Sequence, residues 1–335
     1  MVLETSKSVV VTKFGGYESI QIKEFDLPSL EGTIEVKVSY GGLNFADLYT
    51  RQGLMMDKKL PFVLGMECSG IITAIGAENT DFKVGQQVVC YDHQGGMFRE
   101  KIRVPPRHVF AVPDDLDGDV AASLFVNYLT AYFAVLQTGN LRENEQVLIM
   151  SCAGGLGWAA TQLSKTVKGV KIIGTGSDFK AKFAMENGVD IFIDKNNVGE
   201  YKYDLILCTE SGPILETLQN LLNPLGRIVM LGANNIIQNE NKLSTLSLLK
   251  LWWTTKTISP ESLIMNNRTC SGLHLGTLME LEPQKVDLAL KKILGMLNDG
   301  KINPRIHCTY PLEEIVSATK DLANRKNIGK VLLKF

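Results

Sequence analysis

From Val120 onward, short apolar runs alternate with stretches of helical composition: Gln146–Met150, Val170–Ile173, Asp190–Ile193, Leu205–Cys208 and Arg227–Leu231. Each is a few residues long, is bounded by Gly, Asn or Asp, and lacks polar alternation. A strand with both faces covered reads this way, so the pattern predicts a doubly wound parallel sheet over 124–276. Residues 1–119 have a different rhythm. Val36–Tyr40, Ser69–Ile75 and Gln87–Tyr91 are β-type runs broken by clusters such as Gly41-Gly42, Gly95-Gly96 and Pro105-Pro106. Near the end, Val286–Leu297 has helical amphipathicity and stops at Asn298-Asp299-Gly300. The longest apolar segment, Val120–Leu136, is interrupted by Ser123, Asn127 and Thr130 and is shorter than the roughly 20 residues of a bilayer span. It is expected as a buried helix.

Composition narrows the class. At 335 residues the chain has room for about two domains, and with 45% apolar and 21% charged residues it can bury a core. Lysine plus arginine number 35 against 36 acids, a formal net charge of −1, which leaves no electrostatic footprint for nucleic acid. The six cysteines are scattered, the closest two being 22 residues apart (68 and 90), and no CxxC occurs. That argues for a reduced, cytoplasmic protein without a disulfide framework. The opening MVLETSKSVVVTKFGG has an acid at Glu4 and a three-residue apolar run, unlike a signal peptide.

The chemistry concentrates after the first apolar run of the second half. There Ser151-Cys152-Ala153-Gly154-Gly155-Leu156-Gly157 precedes a helical stretch, Trp158–Lys168. Laid on G-x-G-x-x-G, Cys152 takes the first position and Gly154 and Gly157 the other two. Small residues are needed where a backbone turns sharply, approaches a pyrophosphate and lets the helix start face the anion. Strand before and helix after make this a candidate dinucleotide site. The second strand ends Ile173-Gly174-Thr175-Gly176-Ser177, with no carboxylate to accept hydrogen bonds from a ribose. A small-residue tip followed by Lys180 and Lys195 favours the 2′-phosphate of NADPH, read by Ser177 and the lysines, with Thr175 a further candidate cofactor-binding residue. Asp178 is the complication, and solvated surface lysines are the bland alternative.

Around this unit stand Gly42-Leu43-Asn44-Phe45-Ala46-Asp47-Leu48-Tyr49, Leu64-Gly65-Met66-Glu67-Cys68-Ser69-Gly70, Asn127–Tyr132 and Asn327–Leu333. In that order they resemble the medium-chain dehydrogenase/reductase superfamily, in its zinc-free quinone oxidoreductase branch. The opening Phe14-Gly15-Gly16-Tyr17, Trp252-Trp253 and Gly272–Gly276 bring the match closer to the vesicle amine transport protein family, the synaptic vesicle membrane protein homologues, over essentially the whole chain. The resemblance implies an α/β medium-chain reductase: a GroES-like, mostly-β catalytic domain from 1–123 and 277–335, and a Rossmann NADP-binding domain over 124–276. It implies hydride transfer from NADPH to a quinone or enone. Asn44 and Thr130 would lie beside the nicotinamide, and Gly154, Gly155, Leu156 and Gly157 would hold the pyrophosphate. Leu231, Gly232, Leu273, His274 and Leu275 would pass along the cofactor, and Asn327 and Lys330 would close the site.

Zinc-dependent relatives use a Cys in the Gly42–Asp47 segment and a His where this chain has Met66; neither is present, so no zinc is expected. Tyr49 is the candidate proton donor, with His93 and water as rivals. Several positions depart from the family. Met55 follows Gly53-Leu54 where Tyr is common, Lys195 stands where Tyr is common, and the 194–204 connection is too short for a full helix. The alternative function is a peripheral vesicle or mitochondrial outer-membrane protein for trafficking or lipid handling on a reductase scaffold. Its candidate patch is Leu246–Trp253, which otherwise reads as a buried helix or dimer contact. The strand around Thr269–Leu275 would by resemblance extend the sheet across a two-fold, giving a homodimer.

Overall fold

The computed structural model describes residues 4–54, 58–78, 80–232 and 258–335. Trp252-Trp253, Met55 and the Leu246–Trp253 segment lie outside the described residues. Two compact units emerge. One comprises the chain up to Phe125 together with Ile306–Phe335, and the other the described residues from Val126 to Arg305.

The second unit carries the predicted sheet. Six parallel strands lie in the order Ile191–Ile193, Lys171–Thr175, Gln146–Ile149, Tyr203–Cys208, Leu222–Met230, Thr269–Gly272. In chain order this is 3-2-1-4-5-6, so the direction of winding reverses between the first and fourth strands. The central strands are apolar at successive positions because helices cover both faces. Val147, Leu148, Leu205, Ile206, Ile228 and Val229 are all fully buried. The connection from the third strand to the fourth is only the 3₁₀ helix Lys195–Glu200, as its length requires. Residues 277–305, which the sequence reading placed with the first domain, pack in this unit. Lys292 Nζ meets Tyr132 Oη at 3.3 Å, and the Asn303 carbonyl accepts Trp158 Nε1–H at 3.1 Å. Helix Pro283–Asn298 buries Val286, Ala289, Leu290 and Ile293, a single stripe at helical spacing.

The first unit is mostly β. A seven-stranded sheet runs Ile306–Pro311, Lys330–Lys334, Ile34–Gly42, Glu67–Ile75, Gln87–Tyr91, Val109–Ala111, with Lys101–Val104 also paired to Ile34–Gly42. A second, three-stranded sheet sets Thr5–Val11 between Ile20–Asp26 and Phe62–Val63. The last strand, Lys330–Lys334, pairs antiparallel with the end of Ile34–Gly42, Leu332 opposite Gly42. That pairing brings the chain's last segment to its forty-second residue.

Helix Gly118–Tyr132 continues as a π-helical stretch, Phe133–Thr138. The whole is 21 residues, longer than the expected segment and long enough by length and composition to cross a bilayer, but 72% of its apolar window is buried inside the fold. A core helix explains both facts.

Candidate functional site

In the second unit the strand Gln146–Ile149 runs into a turn whose Ser151 takes a left-handed φ of +55°. The Gly154 N–H donates to the Ser151 carbonyl at 3.0 Å, and Gly154 caps helix Gly155–Lys165. The glycines answer different needs. A Cβ on Gly157 would sit 2.3 Å from the Ser151 oxygen and 2.6 Å from Cys152 Cα, so helix and turn touch backbone to backbone there. One on Gly155 would sit 2.3 Å from Asn127 Nδ2, while one on Gly154 would make only an ordinary contact, 3.4 Å from the Ser151 oxygen. Gly154 is therefore not demanded by the chain's own packing. Its smallness leaves the backbone at the helix start open to an incoming group, and that helix start favours an anion. Leu156 is half-buried on the first turn. Thr130 lies one turn beyond Asn127 on its helix, half-buried.

Thr175, 3% exposed, braces the turn: its carbonyl accepts Cys152 N–H at 2.9 Å and its Oγ1 accepts Ser151 N–H at 3.4 Å. Beyond it, Ser177 and Asp178 are exposed, but Lys180 is only 6% exposed, its Nζ 5.4 Å from the Phe179 ring centroid. It is not a solvated surface lysine. Its charge reaches Cys152, whose thiol burial pushes up to about 12 while the ammonium pulls the other way. Lys195 is exposed at the start of its 3₁₀ helix. Leu231 and Leu273 are half-buried where the fifth and sixth strands end, Gly232 is exposed and Leu275 buried. His274 caps helix Leu275–Leu281, its Nδ1 accepting Thr277 N–H at 3.1 Å. The predicted cofactor residues of this unit, Thr130 apart, thus follow the carboxyl ends of the sheet's strands.

The first unit holds a buried polar network. Asn44 precedes helix Phe45–Gln52, and its N–H donates to Asp47 Oδ2 at 2.8 Å. Its side-chain Nδ2 donates to Glu67 Oε1 at 2.9 Å and to the Gly42 carbonyl at 3.1 Å. Lys330 Nζ donates to Asn44 Oδ1 at 2.8 Å and forms an ion pair with Glu67 Oε1. Both ends of the Asn44 amide are engaged, so its orientation is set. Glu67, Asp47 and Lys330 are 0%, 3% and 3% exposed. Gly42 has no room for a Cβ, which would meet Ala122 O at 2.7 Å, Glu67 Oε1 at 2.8 Å and Lys330 Cε at 2.8 Å. Burial pushes the Asp47 carboxyl up to about 7, against the Asn44 N–H and the Lys330 charge, with Glu67 adding to the rise. Asn327 is buried, and its Nδ2 donates to the Gly329 carbonyl at 2.7 Å, shaping the turn into Lys330. Tyr49 is half-buried on the Asn44 helix. His93 lies beside Gln94, their Nε2 atoms 2.8 Å apart, and 3.9 Å from Asp92.

Glu67, Asp47 and Asn127 are the residues that sequence reasoning missed as site members. All three stood inside the quoted motifs, and an acid next to Gly-Met in a β-rich stretch is the signal that could have found Glu67. As for metal, among the described residues no group of three or more His, Cys, Asp or Glu could hold an ion. Met66 and the Cys-free segment Gly42–Asp47 offer no zinc donor set.

An open parallel sheet in 3-2-1-4-5-6 order with a glycine turn after its first strand, joined to a mostly-β unit, defines a medium-chain dehydrogenase/reductase. The alcohol dehydrogenase GroES-like domain family matches residues 30–114, and the zinc-binding dehydrogenase family matches 179–333. The synaptic vesicle membrane protein VAT-1 homolog of Danio rerio is 38% identical over 98% of this chain and 70% of its own length. The chain belongs to the family of VAT-1 homologues. Among solved structures, the human VAT-1 homolog-like protein superposes with a TM-score of 0.83 at 28% identity, over 99% of this chain and 98% of that one. A quinone oxidoreductase from Pseudomonas syringae does so with a TM-score of 0.85 at 25% identity, over 98% and 100%.

Proposed function

We propose that the chain is a zinc-independent, NADPH-dependent oxidoreductase acting on a quinone or conjugated carbonyl. The observation that carries this reading is the glycine turn at the carboxyl edge of the sheet, tight at Gly157 and open at Gly154. In this reading Gly154, Gly155, Leu156 and Gly157 hold the pyrophosphate against the helix start, and Ser177, Lys180 and Lys195 read the 2′-phosphate, with Thr175 bracing the turn. Leu231, Gly232, Leu273, His274 and Leu275 line the path of the cofactor. Asn44, fixed by Glu67 and Lys330, and Thr130 orient the nicotinamide, and the turn made by Asn327 keeps Lys330 in place. When bound, NADPH supplies the hydride. Tyr49 or water returns the proton to the reduced acceptor. The absence of a zinc donor set at Met66 and in the Gly42–Asp47 segment supports direct transfer without a Lewis acid.

The test is loss of the near-ultraviolet absorbance of NADPH with an ortho-quinone, against a blank without protein, alongside melting curves with and without NADPH. Turnover well above blank supports the reading. A melting shift without turnover makes the cofactor a ligand only, and favours the second reading, a protein peripheral to vesicle or mitochondrial outer membranes, whose vesicle part finds support in the relatives' name of synaptic vesicle membrane protein. Flotation with phospholipid vesicles tests that one. A homodimer through the strand Thr269–Gly272 completes the proposal.

A further inference from the structure

The network around Asn44 holds two carboxylates and one ammonium out of water. Glu67 and Lys330 form an ion pair, and Asp47 is the acid left over. Other charges nearby are committed elsewhere. Arg51, on the same helix, donates to the Gly15 carbonyl and stacks 4.6 Å from the Tyr17 ring centroid. Lys320, from the helix Ile315–Ala323 that packs on this one, lies 5.2 Å from the same centroid. Ionised, Asp47 leaves the cluster with one uncompensated negative charge; protonated, it leaves the cluster neutral. A buried charge of that kind acts strongly on any cation brought against it, because little water screens it.

We propose that the protonation of Asp47 sets this site's preference between the oxidised, cationic nicotinamide and the reduced, neutral one, and that Asp47 gives up a proton when the cationic form binds. This rests on the reading above, that the nicotinamide lies beside Asn44. The O–H bond of the Asp47 carboxyl breaks, its electron pair stays on the carboxylate, and the proton passes to the buffer. Nothing is oxidised or reduced in the step. Asp47 touches Asn44, not the ring, so it is a positioning group that works through its charge.

The experiment measures binding of NADPH and NADP+ to the full chain by calorimetry at about pH 6 and about pH 8, where the affinity ratio should shift toward NADP+ by about tenfold with rising pH. The ratio cancels whatever the adenine and 2′-phosphate, common to both, contribute. Proton release near pH 7, read from the buffer dependence of the binding heat in PIPES and in Tris, should be larger for NADP+ than for NADPH, a difference that cancels the 2′-phosphate both carry. In Asp47→Asn, whose side-chain oxygen still accepts the Asn44 N–H, both ligands should bind with a ratio independent of pH. A wild-type ratio unchanged with pH, or equal proton release on binding the two ligands, overturns the inference even if Asp47→Asn does not fold. Failure of both ligands to bind overturns the reading of the site itself, and the inference with it.

Discussion

At the scale of single residues, the network around Asn44 is held by charge in a buried place, which makes it asymmetric to mutation. Lys330→Met strands Glu67, fully buried, without its counter-ion, and should cost about 3–5 kcal/mol in urea unfolding. Adding Glu67→Gln removes the stranded charge and should recover most of that loss; a double variant no more stable than the single would refute the account. Asp47 makes a second test. Its folded pKa, about 7, lies above the usual carboxylate range, so its contribution is complete below about pH 4, declines as pH climbs to 7 and is gone above it. Melting temperature should carry that downward component between pH 4 and 7, worth at most about 4 kcal/mol, and Asp47→Asn should remove it. Equal slopes for the two proteins would show that Asp47 does not titrate there. Gly157→Ala places a methyl 2.3 Å from a carbonyl oxygen that belongs to the turn itself. The turn cannot yield cheaply, so we expect a lower melting temperature by about 1–3 kcal/mol in stability and at least a tenfold weaker affinity for NADPH. Gly154→Ala should leave stability nearly unchanged while weakening the cofactor.

At the scale of elements, what was legible in the sequence was whatever rested on local periodicity. Leu205–Cys208 and Gln146–Met150 read as buried strands because every residue of a two-sided strand is apolar, and the helix at Val286–Leu297 read from a stripe of four. The dinucleotide edge followed, since a doubly wound sheet puts the ends of its strands on one line. The network did not. A lone Glu or Lys in a sequence is by default a surface charge, and the partner that makes Glu67 a core residue lies 263 positions away, across the pairing of Lys330–Lys334 with Ile34–Gly42. Lys180 is the same case: only the fold shows that the turn after the second strand buries it. The cofactor expectation rests on the strand tip rather than on that burial. A second strand ending Thr175-Gly176-Ser177 without a carboxylate should make NADPH bind tighter than NADH, and Lys180→Ala should narrow the difference; equal affinity of the wild type for both would sink the assignment.

At the scale of the whole molecule, the open question of form is what covers the far edge of the parallel sheet. Among the described residues, Thr269–Gly272 pairs only with Leu222–Met230, so its other edge takes no strand from among them. Apolar side chains gather beside it. Ile264 and Met265 are 73% and 74% exposed on the helix that leads into the strand, and Leu225, 71% exposed, donates its N–H to Asn267 at the same turn. An edge strand flanked by exposed apolar groups suits a two-fold contact in which each copy presents the same strand, because one surface then meets itself and the assembly closes. We therefore expect light scattering to give twice the chain mass of 37.0 kDa at micromolar concentration. Ile264→Asp combined with Met265→Asp should move the mass toward one chain without disturbing the cradle, which lies after the third strand of the sheet's order rather than at this edge. A wild type of single-chain mass would mean that the edge is protected in some other way.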